Sequence, residues 1–265
     1  MRVLKGIFIT LAVIYVALAT LIYAKQESLI FHPRARAIEY SYGNYPEEWV
    51  EVEPGIRLNA MTVAAAGEVA PGVILYLHGN VGDNGRSLYQ TRSLVGMGYD
   101  LFLVDYRGFG KSEGRIGGEE NMTDDLQIVY DHLKDRYGEE NIVIVGYSLG
   151  TGPGTFLAAR NNPRGVVLVA PYLSLTAMKG EFFWMFPDFL LNYELNNERH
   201  LAEANCPVTI IHGTGDRLIP VEMSQRLAAV DPVRIELVEL NGVGHRGAIL
   251  SSELAVAVGR YVRAE

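Results

Sequence analysis

The sequence predicts an α/β fold, a mostly parallel sheet with helices on both faces. Three observations lead there. Short continuous apolar runs, Val73 to Leu77 and Asn141 to Val145 among them, read as strands covered on both sides. Helical stretches alternate with these runs, as crossovers between parallel strands require. The chain has 265 residues, which fits one large α/β domain or two small ones, and its 49% hydrophobic and 20% charged content suits a sizeable core.

The elements follow in order. Gly6 to Ala24 holds no charged residue, and Arg2, Lys5 and Lys25 flank it. As a helix this run spans roughly 28 Å, close to a bilayer core. A cleaved signal peptide competes with this reading, since Ala17-Leu18-Ala19 has the form of a cleavage site. Signal cores are shorter, about 7–15 residues, so the run favours an uncleaved membrane anchor over residues 1–25. A buried core helix is a third reading, and the lack of a polar face counts against it. The charges flanking the run are nearly balanced, with a slight lean towards the catalytic part lying outside the cytoplasm.

Residues 26–46 read as a connector and 47–265 as the catalytic domain. Glu48 to Val52 alternates like a half-buried strand, and Arg57 to Val63 is placed to pair with it. Val73 to Leu77 is a strand, Asn84 to Val95 a helix, and Asp100 to Val104 a strand. Met122 to Tyr137 is a helix stopped by Gly138. Asn141 to Val145 is a strand, Thr151 to Arg160 a helix and Val166 to Ala170 a strand. Val208 to Ile211, Glu222 to Val230, Ile235 to Leu240 and Gly247 to Arg263 continue as strand, helix, strand and helix. The rhythm breaks over residues 171–206. That stretch carries Phe182, Phe183, Trp184, Phe186 and Phe189 around Pro187, which would interrupt a helix. It is either a core-packing helix pair or a small lid that lines a pocket or touches a membrane.

Ligands bind such sheets at the carboxyl ends of the strands. There Gly146-Tyr147-Ser148-Leu149-Gly150 stands between a strand and a helix. A sharp turn in this context exposes the serine hydroxyl above the sheet, with small residues two before and two after it. A serine hydroxyl needs a base, and the base needs a third group to hold its tautomer. In folds that carry a G-x-S-x-G turn of this kind the chain order is Ser, then Asp or Glu, then His. His245, in the Gly-rich loop after the last strand, meets that order, whereas His212 precedes the acid. Asp216 follows the preceding strand; its alternative role is to cap the next helix. Asp188 and Asp231 are placed worse. The oxyanion donors expected are the backbone N–H groups of Leu149 and, from the loop after Val73–Leu77, of Asn80. His78 reads as a structural hydrogen-bonding residue.

Other chemistries fit poorly. The net charge of −8 argues against nucleic acid as a partner. The single cysteine, Cys206, excludes an intramolecular disulfide and a cysteine-based zinc site, and reads as a core thiol. Gly108 to Ser112 resembles the end of a phosphate loop, but Asp105 stands where that loop needs glycine. No metal or cofactor is expected.

Leu77-His78-Gly79-Asn80, Asp105 to Ser112, Gly146 to Gly150, His212 to Asp216 and Gly244-His245 occur in one order. With the apolar N-terminus and Leu29 to Pro33 after it, the chain resembles the membrane-anchored α/β-hydrolase-domain serine hydrolases. That group includes monoacylglycerol and lysophospholipid lipases and protein depalmitoylases. The resemblance covers nearly the whole chain and implies an α/β-hydrolase fold with Ser148, Asp216 and His245 as triad. Gly152-Pro153-Gly154 departs from the plainer helix usual there and implies an altered helix start with the elbow intact. The expected activity is hydrolysis of lipid-derived carboxylic esters at a membrane held by residues 6–24. A protein thioesterase, a peptidase, or a catalytically silent binding protein are the alternatives.

Overall fold

A computed structural model describes residues 1–67 and 69–262. The strands are β1 (Glu47–Glu53), β2 (Ile56–Val63), β3 (Val73–Leu77), β4 (Asp100–Val104), β5 (Ile142–Tyr147), β6 (Gly165–Val169), β7 (Val208–Gly213) and β8 (Ile235–Leu240). They form one sheet in the order β1-β2-β4-β3-β5-β6-β7-β8. β1 and β2 form an antiparallel hairpin, and β2 lies antiparallel to β4. All pairs from β4 to β8 are parallel.

Every residue of β3 to β7 is buried, which is why those strands are continuous apolar runs. The pleat sends Leu75, Phe102 and Ile144 to one face and Ile74, Leu101 and Val143 to the other. The helices are α1 (Arg2–Ile30), α2 (Asn84–Gln90), α3 (Glu119–Tyr137), α4 (Thr151–Arg160), α5 (Leu175–Phe183), α6 (Asn197–Glu203), α7 (Val221–Ala228), α8 (His245–Ala248) and α9 (Ser252–Val262). Leu126, Leu157, Leu201 and Leu227 bring α3, α4, α6 and α7 to the first face. Leu254 and Val258 bring α9 to the second.

The chain leaves β3 for β4 on one side and returns to β5 on the other. The strand order therefore reverses around β3, and a crevice opens above the carboxyl ends of β3 and β5. The loops carrying Asn80 and Ser148 meet there.

Several boundaries differ from the sequence reading. α2 stops at Gln90, not Val95, and Thr91 caps it, its N–H and its hydroxyl both donating to the Ser87 carbonyl, at 2.9 and 2.8 Å. α3 starts at Glu119, where two glutamates sit at the positive end of the helix. The long final helix is two pieces, α8 and α9, with Ser251 bonding back to the Ala248 carbonyl between them. Arg263, its expected last residue, lies outside the described residues. α4 keeps its expected bounds and accepts Pro153 in its first turn.

The expected cap of residues 171–206 narrows in the structure to α5 and the turn after it, which lie beside the crevice, while Tyr172, Leu173, Leu195 and Leu201 are buried in the body. α5 buries none of its residues, Pro187 separates it from a single 3-10 turn at Asp188–Leu190, and α6 returns the chain to the body. α1 is an unbroken helix that continues to Ile30, past the expected boundary at residue 25. It is long and apolar enough to cross a membrane. Phe31 is buried directly after it and packs edge-on against Tyr193. His32 and Pro33 then pair with Val81 and Gly82 beside the Asn80 loop.

Candidate active site

The turn after β5 places Ser148 in a left-handed conformation, φ +51°. For a non-glycine residue this costs on the order of 1–3 kcal/mol and persists only where the surroundings enforce it. The surroundings are tight. A Cβ on Gly146 would lie 2.7 Å from the Gly150 carbonyl oxygen, and one on Gly150 would collide with the Leu77 carbonyl. Strand, turn and helix thus touch through backbone alone. The Thr151 hydroxyl donates to the Ser148 carbonyl at 2.7 Å, and the Tyr172 hydroxyl donates to the Leu149 carbonyl at 3.2 Å.

His245 opens α8, after the loop that follows β8. Its Nε2 lies 3.0 Å from Ser148 Oγ, and its Nδ1 lies 2.6 Å from Asp216 Oδ2. The structure therefore brings Ser148, His245 and Asp216 into one hydrogen-bonded line from three separate loops. The two oxygens of Asp216 have different partners. Oδ1 accepts the N–H groups of Leu218 and Ile219 at 2.8 and 3.0 Å, which fixes the carboxylate on its own loop. Oδ2 faces His245 and also lies 3.3 Å from Nε2 of the buried His212. Asp216 does not cap α7, whose first turn follows Pro220. Burial alone would push the Asp216 carboxyl up. The hydrogen bonds from His212, His245 and the Ile219 N–H outweigh burial, and the group sits well below the usual carboxylate range.

His212 has a fixed orientation. Its Nδ1 lies 2.6 Å from Ser224 Oγ and its Nε2 lies 3.0 Å from the Ile219 carbonyl oxygen. The carbonyl can only accept, so Nε2 carries the proton and also points at Asp216.

Beneath the Asn80 loop lies a second buried pair. His78 Nδ1 is 2.6 Å from the Gly79 carbonyl and donates to it, leaving Nε2 as an acceptor. That Nε2 faces Asp105 Oδ1 at 3.8 Å, and neither atom holds a hydrogen bond among the described residues. Burial pushes His78 down to about 4 and Asp105 up to about 8. Burial thus favours the uncharged form of each, a carboxyl group facing an imidazole lone pair. Asp105 also anchors the turn once comparable to a phosphate loop, since the Ser112 hydroxyl donates to its carbonyl at 2.6 Å. The neighbouring Arg107 grips Asp125 with two hydrogen bonds of 2.6 and 2.7 Å.

Ser148, Leu149 and Asn80 line the base of a cavity of about 230 Å³. Its walls are apolar: Leu175, Met178, Phe182, Phe186 and Leu191 from the cap, and Leu218 and Ile219 from the Asp216 loop. Among the described residues its lining holds no carboxylate. Lys179 is its one cation, and that ammonium is engaged by the Phe186 carbonyl and by Asp188.

The remaining wall is α1. Ile22, Gln26, Leu29 and Ile30 line the same cavity. The sequence reading missed them, because it treated the N-terminal run as uniform. A signal was there: Tyr15, Ala19, Ile22, Gln26 and Ile30 recur at helical spacing, with a small and a polar residue within the stripe.

Residues 69–197 match the family described as serine aminopeptidase, S33. An uncharacterized protein of Mycobacterium tuberculosis (strain CDC 1551 / Oshkosh) is 29% identical over 235 residues, 85% of this chain and 82% of that protein. The lysophosphatidylserine lipase ABHD12 of Danio rerio is 32% identical over 178 residues, 58% of this chain and 46% of that protein. The chain thus spans less than half the length of that lipase. Among solved structures, an esterase of Pyrococcus furiosus superposes with a TM-score of 0.69 at 20% identity, covering 87% of this chain and 97% of the esterase. An α/β serine hydrolase homologue from Coxiella burnetii superposes with a TM-score of 0.64 at 19% identity, covering 85% and 100%. With its strand order, its strained serine turn and these likenesses, the chain has the α/β-hydrolase fold and is similar to serine hydrolases of that fold.

Proposed function

We propose that this chain is a membrane-anchored serine hydrolase that cleaves carboxylic esters of lipid origin, with a single acyl chain lying in the apolar cavity. One observation carries the reading. Ser148 Oγ, already 3.0 Å from a histidine nitrogen, stands at the base of a cavity lined by aliphatic and aromatic side chains.

In this mechanism Ser148 Oγ attacks the ester carbonyl carbon while His245 Nε2 takes its proton. Asp216 holds the Nδ1–H tautomer and stabilises the imidazolium. The Leu149 and Asn80 N–H groups receive the oxyanion. His245 then gives its proton to the departing alcohol oxygen, leaving an acyl group on Ser148. Water, deprotonated by His245, attacks that acyl group, and the fatty acid leaves with Ser148 restored. α1 is the anchor, and α5 with the turn after it is the cap that greets the acyl chain.

The lipase relative supports a lipid ester, although its activity belongs to a protein more than twice as long as the matched segment. The matched family's description raises a peptidase as a second reading. An aminopeptidase must hold a free ammonium group, and the cavity lining offers it no carboxylate among the described residues. The ester reading is therefore favoured.

A fluorophosphonate probe tests the mechanism. The full chain in detergent is expected to be labelled and Ser148→Ala is not; equal labelling of both overturns it. Release of fatty acid from monooleoylglycerol, with no cleavage of amino-acid amides, is the expected substrate profile.

A further inference from the structure

The seam between α1 and the cap has features that a simple tether would not need. One face of α1, marked by Tyr15, Ala19, Ile22, Gln26 and Ile30, turns towards the cap and cavity. At the far end the Tyr15 hydroxyl donates to the Met185 carbonyl at 2.9 Å, and its ring stacks on Phe186 with centroids 5.5 Å apart. At the near end the Gln26 amide donates to the Leu190 carbonyl at 3.1 Å and accepts from the Asn192 N–H at 2.7 Å. Tyr15 and Gln26 are separated by about 16 Å of helix axis. The cap therefore runs alongside the apolar part of α1.

Depth follows from that length. From Ala24, the end of the uncharged run, back to Tyr15 is about 14 Å of helix. A bilayer's hydrocarbon core is about 30 Å thick, so one leaflet accounts for about 15 Å. If α1 spans a membrane, the cap beside it lies within one leaflet.

The cap's chemistry agrees. Trp184 and Phe189 are 76% and 81% exposed and do not line the cavity. Irregular backbone is tolerated at membrane depth only where its polar groups find partners within the protein. Four backbone groups of the cap's turns find such partners in side chains. Met185, Phe186 and Leu190 give their carbonyls to Tyr15, Lys179 and Gln26, and Asn192 gives its N–H to Gln26. Lys179 and Asp188 form an ion pair with each other.

We propose that the cap is embedded in one leaflet and that its seam with α1 is an entry port, through which the acyl chain of a bilayer-resident single-chain lipid ester passes sideways to Ser148. The port rests on the ester-hydrolase reading for its substrate, while the embedding stands independently. Ile22 and Leu29 form the helix wall of the path, and Gln26 holds the wall against the cap.

The test uses the full chain reconstituted in phosphatidylcholine vesicles. In a Trp49→Phe background Trp184 is the remaining tryptophan. Its fluorescence is expected to be quenched by lipids carrying a nitroxide on the acyl chain. Quenching confined to a water-soluble quencher overturns the embedding. The double variant Trp184→Glu/Phe189→Glu is expected to hydrolyse water-soluble p-nitrophenyl butyrate within about twofold of wild type. Its hydrolysis of vesicle-borne monooleoylglycerol should fall by at least about tenfold, because each glutamate opposes burial in hydrocarbon. Ile22→Trp is expected to shift the preferred p-nitrophenyl ester to a shorter chain. Retained monooleoylglycerol activity in the double variant, or an unshifted chain-length preference in Ile22→Trp, overturns the port. If wild type cleaves no ester and takes up no fluorophosphonate, the ester-hydrolase reading fails instead, and the quenching result still decides the embedding.

Discussion

His212 and His245 approach the same oxygen of Asp216, at 3.3 Å and 2.6 Å, from a buried strand end and from a loop beside the cavity. One histidine is locked between Ser224 and Ile219. The other faces Ser148. The carboxylate thus sits between an imidazole fixed on both sides and one that reaches the Ser148 hydroxyl.

That arrangement separates two variants. Asp216→Asn loses the acceptor that selects the His245 tautomer, and kcat should fall by about 10⁴, as for the corresponding change in serine proteases. His212→Phe removes one donor to a carboxylate that keeps two backbone donors. A hydrogen bond to a charged group is worth about 1.5–3 kcal/mol, so a fall of roughly tenfold or more in kcat with KM unchanged is expected. Steady-state kinetics on p-nitrophenyl butyrate check both. An equal loss in the two variants would contradict the supporting role of His212.

Ser148→Gly should raise stability while abolishing ester hydrolysis. Glycine adopts φ +51° freely, so the substitution relieves backbone strain, and a net gain of about 1 kcal/mol is expected after its greater unfolded-state entropy is counted. Thermal denaturation of the detergent-solubilised chain reads the gain. A lower melting temperature than wild type would show that the turn stores no strain at this residue.

Asp105 and His78 predict a pH dependence with opposing signs. The folded pKa of Asp105 is raised from 3.8 to about 8, so the folded state holds a proton the unfolded chain has lost, and stability falls as pH rises through this window. The folded pKa of His78 is lowered from 6.5 to about 4, so stability rises with pH between those values. The two oppose each other from about 4 to 6.5, and Asp105 acts alone from 6.5 to about 8. Asp105→Asn should flatten the fall in melting temperature above pH 6.5. An identical slope in variant and wild type would show that Asp105 is ionised in the folded chain.

Much of this architecture was legible from patterning. β3 to β7 are buried on both faces, so their sequences carry few polar residues and announce themselves. Ser148, Asp216 and His245 could be named from chain order and brought together by the order of strands. The boundaries that differed coincide with local side-chain bonds that hydropathy does not encode: the Thr91 hydroxyl at the end of α2, and Ser251 between α8 and α9. The role of α1 in the cavity was hidden for another reason. Ile22 and Leu29 look alike whether they meet lipid or a neighbouring cap, and hydropathy does not distinguish the two. The second histidine on Asp216 was set aside on order alone, and chain order says nothing of a supporting role.

From Ile7 to Ile30 α1 contains neither glycine nor proline, and Phe31 enters the core without an intervening loop. The helix and the body behind it therefore tilt together. In a thicker or thinner bilayer a spanning helix adjusts by changing its inclination. If α1 spans a bilayer, such a change would carry the body with it, the Asn80 loop included, since His32 and Pro33 are stitched to that loop. On that condition membrane thickness would set the angle at which the crevice above β3 and β5 meets the bilayer surface.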